Sequence, residues 1–412
     1  MTSELINIEK EINFSQAKER LDDILVDTSL IYSSYFSDLS GNNVYLKPEN
    51  LQMTGSFKIR GAFNKVSKLT EEEKAKGIIT ASAGNHAQGV AYAAKALGVN
   101  ATILMPETTP LIKVQSTKNF NPDANVILHG DCYDDAYEEA LRLKELHGYT
   151  FVHPFNDADV IEGQGTIALE ILEQCKDADY ILVPIGGGGL VSGVAMAAKQ
   201  IKPSIKIIGV EPQEASCMKD SLKEDKIVTL DTVNTIADGT AVKTPGDLNF
   251  LVSKEYVDEV ITVTDFEVMS VFTDLIQRHK IISENSGSLS VAASLKLKAE
   301  GKNVVSLISG GNIDILAISS LIDKGLVLNG RLFSFTVEVP HKPGQLEKVS
   351  SLLAKTGGNI ISIRHSAKNC ENIFTNINLE VTVETNGREH IKQIRDLFTE
   401  NNYNIKGIVL NN

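Results

Sequence analysis

The sequence predicts an α/β protein: a doubly wound, largely parallel sheet followed by a smaller ferredoxin-like βαββαβ unit. Three observations predict it. Short apolar, β-branched runs alternate with longer helix-period runs from Asn43 to Asp323, as parallel strands joined by crossover helices require. Several strand-to-helix junctions are rich in glycine and small polar residues, at the strand ends where open α/β sheets bind ligands. Beyond Lys324 to Arg331 (KGLVLNGR), which reads as a linker, the order becomes strand, helix, strand, strand, helix, strand.

Taken in order, Phe14 to Asp22 reads as an amphipathic opening helix and Asn43 to Pro48 (NVYLKP) as a strand. A helical run, AFNKVSKL, follows the segment GSFKIRG. GIITAS (Gly77 to Ser82) suits a buried strand and leads into AGNHAQGVAYAAKALG, a helix closed by Gly98 as its C-cap. Strand ATILMP, a helix from Pro110, strand NVILHG and helix YDDAYEEALRLKELHG follow, then helix EGQGTIALEILEQC. Strand DYILVPIG meets helix GGGLVSGVAMAAKQI, and IKIIGVEP is the next strand. VVSLIS (Val304 to Ser309) and helix DILAISSLID complete the alternation. The C-terminal unit reads FSFTVEVP, PGQLEKVSSLLAKTG, NIISIRHSA, NIFTNINLEVTVET, REHIKQIRDLFTE and YNIKGIVL.

With 412 residues, 42% hydrophobic and 23% charged, the chain has the composition of two or three globular domains. A net charge of -13 argues against nucleic acid or an anionic membrane surface as a partner. The charged N-terminus has no apolar signal core, and no run approaches the ~20 apolar residues of a membrane span. A soluble cytoplasmic protein is expected. Cys132, Cys175, Cys217 and Cys370 are scattered, without CxxC or nearby histidines, and read as free thiols in a reducing compartment, with no disulfide frame and no zinc site.

Lys58 lies between Phe57 and Ile59 at the start of a helix, flanked by Gly55, Ser56 and Gly61. The helix dipole disfavours an ammonium there, which suits a lysine that reacts as a free amine, for instance in a Schiff base. A solvated surface lysine is the alternative. Gly186 to Gly189 follow a strand and open a helix, so their N–H groups can converge on a phosphate. A purely structural turn remains open, as does a dinucleotide site, since Gly186 and Gly188 fit GxGxxG but Val191 replaces its third glycine and Glu211 ends the next strand. In SAGNHAQG, Asn85 is a helix N-cap or a ligand contact, and His86 reads as packed. Ser309 precedes Gly310, Gly311 and Asn312 at a strand end. Glu284, in ISENSGS, opens a helix of small residues.

Together GSFKIRGA, ASAGNHAQGVA, PIGGGGLVSG, GVEP and SGGN, in this order over roughly residues 14 to 325, resemble the fold type II (tryptophan synthase β-like) pyridoxal-phosphate enzymes. The closest likeness within them is to the threonine dehydratase (threonine ammonia-lyase) family. Arg331 to Leu410, with PHKPGQL, resembles an ACT-type regulatory domain. The resemblance implies two parallel-sheet subdomains in a catalytic domain 1–325, the smaller at about 50–155, and a regulatory domain 326–412. It implies pyridoxal 5'-phosphate carried by Lys58, with Ser56 and Phe57 beside it. Asn85 is then expected on the ring hydroxyl, Gly186, Gly187, Gly188, Gly189 and Leu190 on the phosphate, and Ser309 facing the pyridine nitrogen. Ser82, Ala83, Gly84 and Asn85 would grip the substrate carboxylate, and Lys58, Ser82 and Glu284 would serve catalysis.

The implied reaction is dehydration and deamination of L-threonine, or L-serine, to 2-oxobutanoate or pyruvate and ammonia, in isoleucine biosynthesis or threonine catabolism. A racemase or β-replacement enzyme of the same fold is the alternative. Related serine racemases carry a second serine where this chain has Ala83, which favours elimination. Relatives bind a cation through positions matching Glu211, Ala215 and Cys217; Cys217 replaces an acid found in some of them, so only Glu211 remains a candidate. The resemblance also implies a homodimer or homotetramer, and isoleucine or valine as an effector near Gly344 and Asn359.

Overall fold

The computed structural model describes residues 3–366 and 375–407. Cys370 and the ends of the three last expected strands lie outside the described residues. The chain divides into two compact units, Met1–Ile313 and Asp314–Asn412.

The first unit holds two sheets. One is six-stranded, in the order Ile31–Tyr32, Asn43–Pro48, Asn303–Ile308, Tyr180–Pro184, Lys206–Pro212, Glu259–Val263. Only the short Ile31–Tyr32 edge is antiparallel. The other is four-stranded and parallel, in the order Asn125–Leu128, Ala101–Met105, Ile78–Ala81, Thr150–Phe151. The central strands are buried on both faces, Ala101–Met105 along its whole length, as sheets covered by helices on two sides must be. Ile181, Val183, Ile207 and Leu307 lead into one apolar core, and Ile78, Ile103 and Met105 into another.

Three helices carry the site. Lys58–Ser67, Ala158–Gln174 and Gly189–Ile201 stack with almost no side chain between them. A Cβ on Gly163 would lie 2.5 Å from the Arg60 carbonyl oxygen, and one on Gly193 2.3 Å from the Ile161 carbonyl oxygen. The first helix begins at Lys58 itself, ahead of the run expected from AFNKVSKL.

The second unit is a four-stranded antiparallel sheet in the order Asn359–Ser366, Asn376–Glu384, Leu332–Pro340, Ile405–Gly407. With helices Gln345–Thr356 and Arg388–Glu400 it has the expected βαββαβ order. Phe333, Phe335, Val337 and Val339 alternate inward and pack with Leu353, Ile394 and Phe398. One expectation is corrected. Lys324–Arg331 is not a linker, because its first residues close the helix Ile315–Leu328. That helix packs on Leu332–Pro340, so the division falls at Ile313/Asp314 rather than at 325/326. Leucines, of good helix propensity, carry the helix through the glycine at 325. Among the described residues no helix is long and apolar enough to cross a membrane.

One buried charge network ties this architecture together. Arg60, wholly buried, donates from Nε and Nη2 to Glu49 at 2.7 and 2.8 Å, and from Nη1 and Nη2 to Glu170 at 2.5 and 2.9 Å. Lys47 Nζ joins Glu170 at 2.6 Å, and Thr28 Oγ1 donates to Glu49 at 2.8 Å. Burial pushes the Glu49 carboxyl up, but the Arg60 charge beside it overrides this and holds it below the usual carboxylate range. Removing one partner leaves a buried charge uncompensated, which costs about 3–5 kcal/mol. Glu49→Gln is therefore expected to lower the unfolding free energy, read from denaturant titration, by about 3–5 kcal/mol, and a loss below about 1 kcal/mol would show the network to be dispensable.

Candidate active site

The site forms where both parallel sheets end. Strand Ile78–Ala81 runs into Ser82–Asn85, Tyr180–Pro184 into Gly186–Gly189, and Asn303–Ile308 into Ser309–Asn312. These are the carboxyl ends at which α/β sheets bind ligands. Backbone pairing closes the first link. Phe57 N–H donates to the Ser309 carbonyl at 3.0 Å, Gly311 N–H to Gly55 at 2.9 Å, and Ser56 bridges Gly310. Lys58 is thereby held one residue from the Ser309 loop.

Lys58 Nζ donates to the Pro154 carbonyl at 2.6 Å. Burial pulls its ammonium down to about 8, against the Glu284 charge that raises it. The value is lowered, but through burial rather than through the helix start. The next residue, Phe155, lies against the glycine turn: a Cβ on Gly187 would sit 2.4 Å from its ring, and one on Gly189 2.8 Å from its carbonyl oxygen. Amine and turn thus meet on the same short segment. Gly188, at φ +98, takes a left-handed conformation that favours glycine. The helix then begins at Gly189, so its first amides have no intrahelical acceptor and sit at its positive end. Leu190 is buried in the core behind them.

Asn85 does not cap its helix; Gly84 occupies that position. Its Nδ2 instead donates to Glu284 Oε1 and Oε2 at 2.8 and 2.9 Å, and its Oδ1 accepts from Asn312 Nδ2 at 2.8 Å. Burial pushes the Glu284 carboxyl up to about 7. The Asn85 hydrogen bonds oppose this, Asp238 adds to it, and Lys113 and Lys58 pull it back. Glu284 is therefore no mere dipole partner at its helix start. Ser82, Ala83 and Gly84 are half-buried before the helix. His86 is buried, with Nε2 on the Val152 carbonyl at 2.9 Å, and burial pulls it down to about 3.

Ser56, Phe57, Lys58, Asn85, Glu284 and Ser309 are thus gathered, and the glycine turn joins them through Pro154 and Phe155. Those two residues and Asn312 were not singled out from sequence. Asn312 lay in the SGGN motif, but the other two carry no local signal. Glu211 stands apart. Its oxygens accept from Met218 and Lys219 N–H, each at 2.9 Å, and burial pushes it up to about 8. It serves the start of the Cys217–Glu224 helix. Buried Ala215 and Cys217 lie nearby, and among the described residues no group of three or more His, Cys, Asp or Glu could hold a metal ion. In the second unit, Gly344 precedes its helix at φ +87, and Asn359 opens a strand with Nδ2 on Glu384 at 3.3 Å.

These features fit a phosphorylated aldehyde. Lys58 supplies an amine held near neutral, and the glycine turn offers amides at a helix start. Ser56 Oγ, wholly buried, is without a protein partner. A family model for pyridoxal-phosphate dependent enzymes matches residues 21–310. An L-threonine ammonia-lyase from Thermotoga maritima is 45% identical over 397 residues, 96% of this chain and 98% of that protein. Threonine deaminase isoform 2 from Solanum lycopersicum, in its processed form, matches with a TM-score of 0.74 at 38% identity, over 79% of this chain and 90% of its own. Maize serine racemase matches with a TM-score of 0.72 at 36% identity, over 76% and 97% respectively. By fold, site and family match alike, the chain belongs to the pyridoxal-phosphate dependent enzymes.

Proposed function

We propose that this protein dehydrates and deaminates L-threonine, and L-serine by the same steps, to 2-oxobutanoate or pyruvate and ammonia. The observation that carries the proposal is Lys58, an amine held near pKa 8 beside the glycine turn. The extent of identity to an L-threonine ammonia-lyase supports threonine as substrate. Bound pyridoxal phosphate supplies the electron sink that acidifies the substrate α-carbon and drives out the β-substituent.

The residues then divide the work. Lys58 would hold the cofactor aldehyde, and its free Nζ would take the substrate α-proton. Gly186–Gly189 and Leu190 hold the phosphate with backbone N–H groups. Ser56 and Phe57 would flank the ring, and Asn85 would hydrogen-bond its hydroxyl. Ser309 would offer the pyridine nitrogen a neutral hydroxyl in place of a carboxylate. Ser82, Ala83, Gly84 and Asn85 bind the substrate carboxylate at a helix start. Glu284, titrating near 7, exchanges protons with the site. Loss of the α-proton and β-hydroxyl leaves an enamine, which after release tautomerises and takes up water. The water lost equals the water regained, so threonine yields 2-oxobutanoate and ammonia.

Racemisation is the second reading, favoured by the likeness to maize serine racemase. Ala83 opposes it, because its methyl group cannot deliver a proton to the opposite face. We also propose that the second unit is an ACT-type regulatory domain that takes isoleucine or valine near Gly344 and Asn359. A homodimer or homotetramer in the cytoplasm is proposed with it.

Lys58→Ala is expected to abolish near-visible absorbance and to lower turnover by at least about 10²–10⁴-fold; a yellow, active variant would refute the assignment. From L-threonine the wild type should yield keto acid with little D-amino acid, and the reverse ratio would establish the racemase reading. Glu284→Gln removes the charge that raises the Lys58 pKa. The midpoint of the pH dependence of cofactor uptake by the apo protein should therefore move below about 8, and an upward move would exclude that coupling. Isoleucine or valine should shift the activity of the full chain, with Asn359→Ala weakening the response; flat titrations with both would remove the sensor role.

A further inference from the structure

Asn249 is wholly buried on the helix Asp247–Tyr256, outside every motif discussed so far. Its Nδ2 donates to the Gly187 carbonyl at 2.8 Å and to the Phe155 carbonyl at 3.1 Å. Its Oδ1 is buried without a protein partner. Two carbonyl acceptors fix which end of the amide is nitrogen, because an oxygen there would face two oxygens. The Gly187 carbonyl is gripped a second time by Gly246 N–H at 3.0 Å. The described chain contains no cis peptide, and in a planar trans peptide C=O and N–H point in opposite directions. Holding the Gly187 oxygen toward Asn249 and Gly246 therefore turns the Gly188 N–H the other way. The same asparagine closes off the far side of the turn, since a Cβ on Gly188 would lie 2.7 Å from Asn249 Cβ.

We propose that Asn249 is a positioning residue for the phosphate group: it sets the orientation of the Gly187–Gly188 peptide and so aims the Gly188 N–H at the anion. This rests on the reading of Gly186–Gly189 as the phosphate cradle. The second acceptor gives the role a further part. Phe155 follows Pro154, whose carbonyl takes the Lys58 amine. One side-chain amide thereby registers the anion-holding turn against the segment that holds the lysine.

The test compares two aldehydes that differ only in the phosphate. Apo wild type, Asn249→Asp and Asn249→Leu are titrated with pyridoxal 5'-phosphate and with pyridoxal, following the near-visible absorbance of the Lys58 adduct. Asn249→Asp is isosteric and keeps the fold readable if Asn249→Leu fails to fold, and circular dichroism checks both. In the variants the affinity for pyridoxal phosphate should fall by about tenfold or more while that for pyridoxal changes little, so the preference for the phosphorylated aldehyde collapses. A folded variant that keeps the wild-type preference overturns the role of Asn249 and leaves the cradle standing. Parallel loss of both affinities overturns it too, because it marks a purely structural residue. A wild type with no preference between the aldehydes overturns the cradle reading itself.

Discussion

The pairing of Arg60 with Glu49 and Glu170 is the constraint on which the site depends. Arg60 lies two residues beyond Lys58 on the same helix, so fixing its guanidinium fixes the helix start. Glu49 comes from the turn after strand Asn43–Pro48 and Glu170 from the helix Ala158–Gln174. One side chain therefore joins three elements, and the last of them is 110 positions away in sequence. Such a network is costly to bury and weak evidence for stability by itself. Its evident effect is registry: the planar fork accepts its carboxylates in only one relative placement. The reactive amine then inherits a position that it does not have to hold alone.

Around that anchor, burial does most of the electrostatic tuning. The Lys58 amine and the Glu284 carboxyl are both pushed by desolvation toward their uncharged forms, and each opposes the shift of the other. An amine and an acid that titrate near neutral within one site can trade protons at little cost. Asn85 links Glu284 to the Ser309 loop. It donates to Glu284 and accepts from Asn312, which also donates to the Thr54 carbonyl.

The elements of both units were legible in the sequence where periodicity and glycine punctuation agree. Asn43–Pro48 and the helix ending before Gly98 are examples. The linker expected at Lys324 was lost because leucines carry the helix through a lone glycine. Lys58, Asn85 and the four glycines stood out because each lies in a compact motif. Pro154, Phe155 and Asn249 did not, for physical reasons. Pro154 acts through its backbone carbonyl, which every residue possesses, and Phe155 through its carbonyl and a ring packed on Gly187, a contact no local pattern announces. Asn249 meets its glycine partner across a separation of 62 positions, and nothing in PGDLNF announces the contact. Asn85 read as a cap or a ligand contact, because asparagine suits both, and only the fold reveals that its Nδ2 donates to Glu284.

The stack of three helices carries a consequence of its own. Where Gly163 and Gly193 let backbone touch backbone, the gap between the lysine-bearing rod and the rod that starts at the cradle is set by peptide thickness rather than by rotamers. Main chain is far less compressible than a leucine side chain. The molecule thus owns a fixed gauge block for the length of its cofactor. A larger residue wedged there would force the backbones apart, because a Cβ at Gly163 or Gly193 meets a carbonyl oxygen at 2.5 or 2.3 Å.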